Sequence, residues 1–219
     1  MKIAVLGTGM VGDTIGSRLI ELGHEVKMGS RTADNEKAKA FVAKHDGNAG
    51  AGTFADAAAF GEIIINCTSG AASIEALKMA GEANIKGKII VDIANPLDFS
   101  KGAPPSLIPA LSNTNSLGEE IQKTFPSAKV VKTLNTMWCG LMANPAMING
   151  GNHTNFICGN DADAKQKVKA LLNTFGWKNE NLLDLGDISS ARGTEAVLPI
   201  WLRIWSATQN GAFNFNVVS

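Results

Sequence analysis

An α/β fold built on a doubly wound, mostly parallel sheet is predicted from three observations. An apolar run, Lys2-Ile3-Ala4-Val5-Leu6, passes at once into Gly7-Thr8-Gly9-Met10-Val11-Gly12 and then into a helical pattern. Strand-like and helix-like patterns go on alternating through short turns. Strand candidates such as Glu62-Ile63-Ile64-Ile65-Asn66-Cys67 are apolar on both faces, as strands covered by helices on two sides must be. The expectation is a Rossmann-type sheet. Residues 1–150 form the dinucleotide-binding domain, and residues 151–219 form a small C-terminal α/β-helical domain packed on it.

The first turn carries the main motif. A strand, a G-x-G-x-x-G turn and a helix in immediate succession are the context this motif requires. Gly7 allows the tight exit from the strand, Gly9 lets a pyrophosphate approach the backbone, and Gly12 lets the helix lie close. The free N–H groups and positive end of the helix face the phosphates, with Thr8, Met10 and Val11 completing the turn. Val11, Ile15, Leu19 and Leu22 mark the inward side of the helix. Asp13 would repel a pyrophosphate and is expected to point away from it.

Glu25-Val26-Lys27-Met28 reads as the second strand, entered through Gly23, and it ends at Gly29-Ser30-Arg31-Thr32. An NAD-binding fold places a carboxylate about here, ~20 residues past the glycines, to hold the ribose hydroxyls. This sequence has a hydroxyl and a guanidinium instead. Arg31 can pair with a 2′-phosphate and lay its plane on adenine, and Ser30 can donate to the same phosphate. The cofactor expected is therefore NADP (NADPH). Residues 35–45 read as a helix with Ala38, Phe41 and Val42 inward. Lys37 in its first turn either adds charge near the 2′-phosphate or belongs to a solvated face.

A Gly/Ala-rich link precedes a short helix over residues 54–60, with Thr53 as N-cap. The strand that follows ends in Cys67-Thr68-Ser69-Gly70. Ligands of open α/β sheets sit outside the carboxyl ends of the strands, so Cys67, Thr68 and Ser69 are expected to line the cofactor's ribose and nicotinamide. No His or Lys accompanies Cys67 to lower its pKa, which argues against a nucleophile. Residues 73–80 are helical, and the strand at Gly87–Ile93 ends at Ala94-Asn95-Pro96-Leu97. The proline-bearing stretch 98–115 is either a lid or disordered. A helix spans 116–125, with Ser116 and Glu119 as a capping box. The strand Lys129–Leu134 delivers Asn135-Thr136-Met137-Trp138 to the same edge. Beyond Gly151 come a strand at 155–158, a helix at 162–175, a strand at 181–185 and an apolar helix or helix pair over 188–209, broken near Pro199. The stripe Trp201, Ile204, Trp205 reads as core or dimer interface ahead of a substrate wall.

Composition excludes several roles. Twenty basic and twenty acidic residues cancel, which argues against nucleic acid or an anionic membrane as partner. No apolar run reaches the ~18 residues of a spanning helix. Three widely spaced cysteines and no signal-peptide pattern point to the cytoplasm. The three histidines show no metal spacing, so no metal is expected. Tyrosine is absent, which removes any mechanism with a catalytic Tyr. No His, Tyr or Lys–Glu pair stands out near the sheet edge, and no catalytic residue is assigned.

The chain resembles the NADPH-dependent deazaflavin oxidoreductases, which pass hydride between NADP and coenzyme F-420. The resemblance spans nearly the whole length. It rests on Gly7-Thr8-Gly9-Met10-Val11-Gly12, Gly29-Ser30-Arg31, Val130-Val131-Lys132-Thr133-Leu134-Asn135-Thr136, Cys158-Gly159-Asn160-Asp161 and Ala191-Arg192-Gly193-Thr194-Glu195. The oxidoreductase domains of the six-transmembrane metalloreductases look similar. The resemblance implies a 2′-phosphate held by Ser30 and Arg31, a nicotinamide cleft between the main sheet and the C-terminal part, and no dedicated acid or base.

The function expected is hydride transfer between NADPH and a deazaflavin or flavin-like acceptor, in a cytoplasmic homodimer. Thr68, Ser69, Asn95, Pro96, Asn135 and Thr136 would border the nicotinamide; Met137, Trp138, Leu198 and Pro199 would border the acceptor. An NADPH-dependent reductase of a small carbonyl or imine is the rival enzyme. It is disfavoured because only about 70 residues follow Gly150, whereas such enzymes carry a long all-helical second domain. A non-catalytic NADPH-sensing module is the alternative of another class.

Overall fold

The computed structural model describes residues 1–45 and 47–218. In chain order the elements are β1 (Lys2–Leu6), α1 (Met10–Glu21), β2 (Glu25–Ser30), α2 (Glu36–Lys44), β3 (Ala49–Thr53), α3 (Phe54–Phe60), β4 (Ile63–Asn66), α4 (Ser73–Ala80), α5 (Glu82–Ile85) and β5 (Ile89–Asp92). There follow β6 (Leu97–Asp98), β7 (Ser106–Leu107), α6 (Leu117–Thr124), β8 (Lys129–Thr133), α7 (Cys139–Ala143), β9 (Asn155–Cys158), α8 (Ala162–Phe175), β10 (Leu182–Asp184), α9 (Ala191–Ala196) and α10 (Leu198–Thr208).

One sheet runs β10-β9-β8-β5-β4-β1-β2-β3. The six strands from β3 to β8 pair in parallel. From β1 the chain builds outward to β2 and β3, then returns to β4 and builds the other way. The reversal opens a crevice at the carboxyl ends of β1 and β4, where ligands of such sheets bind. Residues 151–218, expected as a small second part, add β9 and β10 to this same sheet. β9 runs antiparallel to β8, with Lys132 opposite Cys158, and β10 is parallel to β9.

Alternation along the strands divides the core. Ile3 and Val5 of β1 face one layer with Ile15 and Leu19 of α1, while Ala4 and Leu6 face the other with Leu77 and Ile121. Burying a Leu or Ile side chain contributes about 1.5–3 kcal/mol relative to leaving it exposed. Two such anchors fix the axis of α1 and therefore the aim of its N-terminus.

Two expectations are corrected here. The Gly/Ala-rich link before Thr53 is strand β3, paired from Val26–Ala49 to Ser30–Thr53. Its sequence, Ala49-Gly50-Ala51-Gly52-Thr53, has no apolar β-former, and pairing with β2 overrides the weak propensity. The stretch 98–115 is not disordered. Leu97 pairs with Leu107 in a two-stranded hairpin, the Ile108 N–H donates to the Pro96 carbonyl at 2.8 Å, and a 3-10 turn follows at Pro109–Leu111. The final helical stretch does break as expected, into α9 and α10 with Pro199 in the first turn of α10. Among the described residues no helix is long and apolar enough to cross a membrane.

Candidate active site

The glycine turn has the geometry the motif requires. Gly7 has φ +113°, and a Cβ there would stand 2.6 Å from the Cys67 carbonyl oxygen, so β1 and β4 leave the sheet side by side. A Cβ at Gly12 would lie 2.0 Å from the Gly7 oxygen. Nothing lies within 4 Å of a Cβ at Gly9, which leaves its backbone open to a ligand. No side chain caps the N-terminus of α1, so its first N–H groups are available to an anion. Asp13 is tied to Lys44 at 3.0 Å.

A cleft of about 360 Å³ opens in front of this turn. Gly7, Thr8 and Gly9 form one wall, Ser30 and Arg31 one end, and Cys67, Thr68 and Ser69 the opposite wall, with Ala76 and Met79 of α4 beyond. Arg31 is exposed and has no ion-pair partner among the described residues. Ser30 is buried, and its hydroxyl donates to the Thr32 carbonyl at 2.5 Å, which fixes the bend that presents Arg31. Lys37 and Met10 lie outside this cleft and line an adjacent hollow with Thr8 and Gly9. The Val11 side chain packs on the core, so only its backbone faces the turn. Burial pushes the Cys67 thiol well above the usual range, with Asp92 and Cys139 adding to the effect. That direction opposes a thiolate nucleophile.

Two further loops meet at the same edge. A Cβ at Gly70 would lie 2.1 Å from the Asn95 oxygen, so the Ser69-Gly70 turn rests directly on the loop after β5. Asn95 in turn is clamped to the exit of β8. Its Nδ2 donates to the Asn135 carbonyl at 2.8 Å, and Asn135 Nδ2 donates to Asn95 Oδ1 at 3.0 Å. Leu134, just before, has φ +63°, a left-handed conformation that costs a non-glycine residue about 1–3 kcal/mol. Asn155 of β9 holds it there by accepting the Leu134 N–H at 3.1 Å. Asn135 Oδ1 and Thr136 Oγ1 are buried and have no partner among the described residues. An ordered water or a polar group of a ligand can fill such atoms.

Met137 is buried and Trp138 half-buried, with the Trp138 ring lying over Gly140. Leu198 is buried and Pro199 half-buried at the start of α10. A segment that sequence reasoning missed links Met137 and Trp138 to Trp201 of α10. Residues 210–218 turn back across the molecule. Trp201 of α10 stacks on Phe213 with ring centroids 5.1 Å apart, Asn214 Nδ2 reaches Met137 Sδ at 4.0 Å, and the Phe215 carbonyl accepts the Thr154 N–H at 3.1 Å. The signal was present in the aromatic-polar alternation Phe213-Asn214-Phe215-Asn216.

A buried ionic cluster lies beneath these loops, and it corrects the expectation that no Lys–Glu pair stands near the sheet edge. Lys132 of β8 is fully buried and bonds Asp92 Oδ2 and Glu195 Oε1, both at 2.8 Å, and the Ala94 carbonyl. Glu195 also accepts the Leu117 and Gly118 N–H groups at the start of α6, at 2.9 and 3.0 Å. Asp92 Oδ1 accepts from Asn66 Nδ2 at 2.8 Å, and Asn66 Oδ1 accepts the Thr68 hydroxyl at 2.7 Å. Burial opposes the charge on Lys132, but Asp92 and Glu195 outweigh it and hold the ammonium. Burial pushes the Glu195 carboxyl up, against the pull of Lys132. The sequence signal was a lysine inside the apolar strand Val130-Val131-Lys132-Thr133; its partners, 38 residues or more away, could not be read.

The family model for NADP oxidoreductase coenzyme F420-dependent proteins matches residues 2–96. The crystal structure of a candidate F420-dependent NADP-reductase from Arthrobacter sp. FB24 shares 50% identity, with a TM-score of 0.93 and 100% of both chains covered. The chain belongs to the coenzyme F420-dependent NADP oxidoreductase family. Membership makes it an NADP-dependent oxidoreductase. The metalloreductase STEAP3 of Rattus norvegicus is 29% identical over 206 residues, 91% of this chain, which spans 38% of that relative's length. An imine reductase of Streptomyces aurantiacus has 16% identity and a TM-score of 0.64, covering 94% of this chain and 62% of its own, and shares the fold. The residues present fit the family's nucleotide: an open glycine backbone, an uncapped helix N-terminus and a guanidinium, unpaired among the described residues, where an NAD fold has a carboxylate.

Proposed function

We propose that this oxidoreductase transfers hydride between NADPH and a deazaflavin of the coenzyme F420 type, with flavin-like rings as the nearest related acceptors. When bound, NADPH supplies a hydride and becomes NADP, and the deazaflavin takes up that hydride at a ring carbon and a proton from water at a ring nitrogen. The backbone of Gly7, Thr8, Gly9, Met10, Val11 and Gly12 holds the pyrophosphate at the N-terminus of α1. Arg31 holds the 2′-phosphate, assisted by Ser30, with Lys37 at the rim of the neighbouring hollow. Cys67, Thr68, Ser69, Asn95, Pro96, Asn135 and Thr136 border the nicotinamide, where the unfilled Asn135 Oδ1 and Thr136 Oγ1 offer polar contacts. Met137, Trp138, Leu198 and Pro199, with Phe213, border the acceptor. Residues 1–150 thus carry the cofactor, and residues 151–219 close the acceptor side.

One observation carries the choice of chemistry. The residues assigned to the nicotinamide and acceptor are aromatic, apolar, amide, thiol or hydroxyl groups; the exposed Glu75 carboxylate that lines the nucleotide cleft is paired with Lys78 at 2.8 Å, and Lys132 is fully buried with its ammonium engaged by three acceptors. Transfer between two flat rings needs alignment of the reacting atoms at ~3–3.5 Å more than it needs proton donors. A carbonyl or imine reduction would call for an acid at the edge. The test is NADPH oxidation with deazaflavin, flavin, ferric-chelate, carbonyl and imine acceptors. Deazaflavin turnover at the highest kcat/KM supports the reading; tight NADPH binding with no turnover on any acceptor overturns it in favour of a sensor. The three cysteines are free, which supports the cytoplasm as location. Ile200 and Trp205, exposed on α10, support a homodimer.

A further inference from the structure

Three loops border the proposed nicotinamide site: Cys67-Thr68-Ser69, Ala94-Asn95-Pro96 and Asn135-Thr136. Each is tied to one buried cation. The Ala94 carbonyl is a direct acceptor of Lys132 Nζ. Thr68 is reached through Asn66 and Asp92, in bonds of 2.7, 2.8 and 2.8 Å. Asn135 lies three residues along the chain from Lys132 itself and is clamped to Asn95. The fourth link leaves the nicotinamide side. Glu195 sits in α9, which runs straight into α10 and its Leu198 and Pro199. A lysine ammonium has three protons to donate, and Lys132 spends them on the β5 carboxylate, the β5-exit carbonyl and the α9 carboxylate. Every member of the chain from Thr68 to Glu195 has a partner, so the network has one low-energy arrangement.

We propose that Lys132 is a positioning residue for hydride transfer: it holds the Thr68 and Asn95 loops in register with the α9–α10 pair, and so sets the separation of donor and acceptor rings. This rests on the reading that the nicotinamide lies against those loops. Lys132 touches neither ring and donates no proton. It acts by fixing the two sides of the cleft on one atom.

The difficulty in testing a buried cation is that its loss also destabilises the fold, because two carboxylates are left facing an apolar hole. Two variants separate the effects. Lys132→Met alone leaves the charges unbalanced. The triple variant Asp92→Asn, Lys132→Met, Glu195→Gln removes all three charges at similar volume, a replacement that can restore stability, yet leaves the Ala94 carbonyl without its donor. Four quantities are measured: the thermal midpoint, the affinity for adenosine 2′,5′-bisphosphate, the nicotinamide fluorescence of bound NADPH, and single-turnover hydride transfer to the deazaflavin.

The expected result is a triple variant with a midpoint near wild type and unchanged bisphosphate affinity. Its bound NADPH emission shifts toward that of free NADPH, and its transfer slows by ~100-fold, the cost of a misplacement of about an ångström. Lys132→Met shows the same transfer loss with a lower midpoint. A folded triple variant that transfers hydride at the wild-type rate with wild-type emission overturns the proposal. So does a loss of bisphosphate binding in proportion to the loss of rate, which would mark Lys132 as merely structural. If neither variant folds, Glu195→Gln decides: it removes the charge facing Lys132 and leaves one amide oxygen for the Lys132, Leu117 and Gly118 donors that two carboxylate oxygens now serve, and wild-type transfer in that variant refutes the coupling. Wild-type protein that reduces no deazaflavin refutes the acceptor assignment instead, while the emission of the binary NADPH complex still decides for or against Lys132.

Discussion

Arg31→Ala separates the two nicotinamide cofactors. Arg31 is exposed at the end of β2, lines the cleft beside Ser30, and has no ion-pair partner among the described residues. Its removal therefore breaks no ion pair or side-chain hydrogen bond among the described residues, and a selective change in NADPH affinity reports on the ligand. Hydrogen bonds to a charged group contribute about 1.5–3 kcal/mol, or roughly 10- to 150-fold in Kd. Solvent screens an exposed guanidinium, which favours the lower end of that range. NADPH affinity is expected to fall by about 10-fold or more. NADH lacks the 2′-phosphate, so its affinity should change little beyond any loss of stacking on adenine. Fluorescence titration of both nucleotides gives the two values, and raising the salt should weaken NADPH binding to wild type more than to the variant. Equal losses for NADPH and NADH would refute the assignment of Arg31 to the 2′-phosphate.

Four other outcomes follow from particular contacts. Gly12→Ala places a methyl 2.0 Å from the Gly7 oxygen; displacement of α1 should cost about 1–3 kcal/mol in denaturant unfolding and weaken NADPH binding, and unchanged values would contradict the close packing. Phe213→Ala removes the ring stacked on Trp201, a pair contributing about 1 kcal/mol, so the acceptor KM should rise roughly fivefold while the NADPH KM stays level; the reverse pattern would remove the tail from the acceptor side. Arg192 forks onto Glu119 at 2.9 and 2.6 Å and, with Ser116, holds its carboxyl below the usual range. That stability is present above the unfolded pKa of about 4.3 and is lost as pH falls through the lower folded value, so Glu119→Gln should lower stability at neutral pH and flatten the acid limb of the unfolding curve. Light scattering should return twice the 22.9 kDa chain mass, with Trp205→Glu shifting it to one; a monomeric wild type would leave α10 without a partner copy.

The parts of the fold that could be read from the sequence are those set by local periodicity. The strand Asn155–Cys158 and the helices Ala162–Phe175 and Ser73–Ala80 lie where their patterns put them, because apolar spacing alone decides such elements. The glycine turn was legible for a different reason: each of its glycines answers a local steric demand. β3 was not, because glycine and alanine give no β signal and only the β2 ladder makes it a strand. The lysine cluster was hidden because it joins residues 92, 132 and 195, whose proximity is a product of topology. The tail after Gln209 shows only the aromatic-polar alternation of Phe213 to Asn216; its course could not be read, since a segment without regular structure takes its path from Trp138, Thr154 and Trp201 and not from its own propensity.

Direct hydride transfer is tested most sharply with NADPH deuterated on either face at the nicotinamide C4, mixed with the oxidised deazaflavin under single turnover, and with the product analysed by mass spectrometry. Ring-to-ring transfer puts one deuteron from one of the two labelled forms onto the deazaflavin ring carbon, without exchange with water, and slows under that label. A reduced deazaflavin carrying no label from either form, or no reduction of the deazaflavin at all, would contradict the proposed reaction.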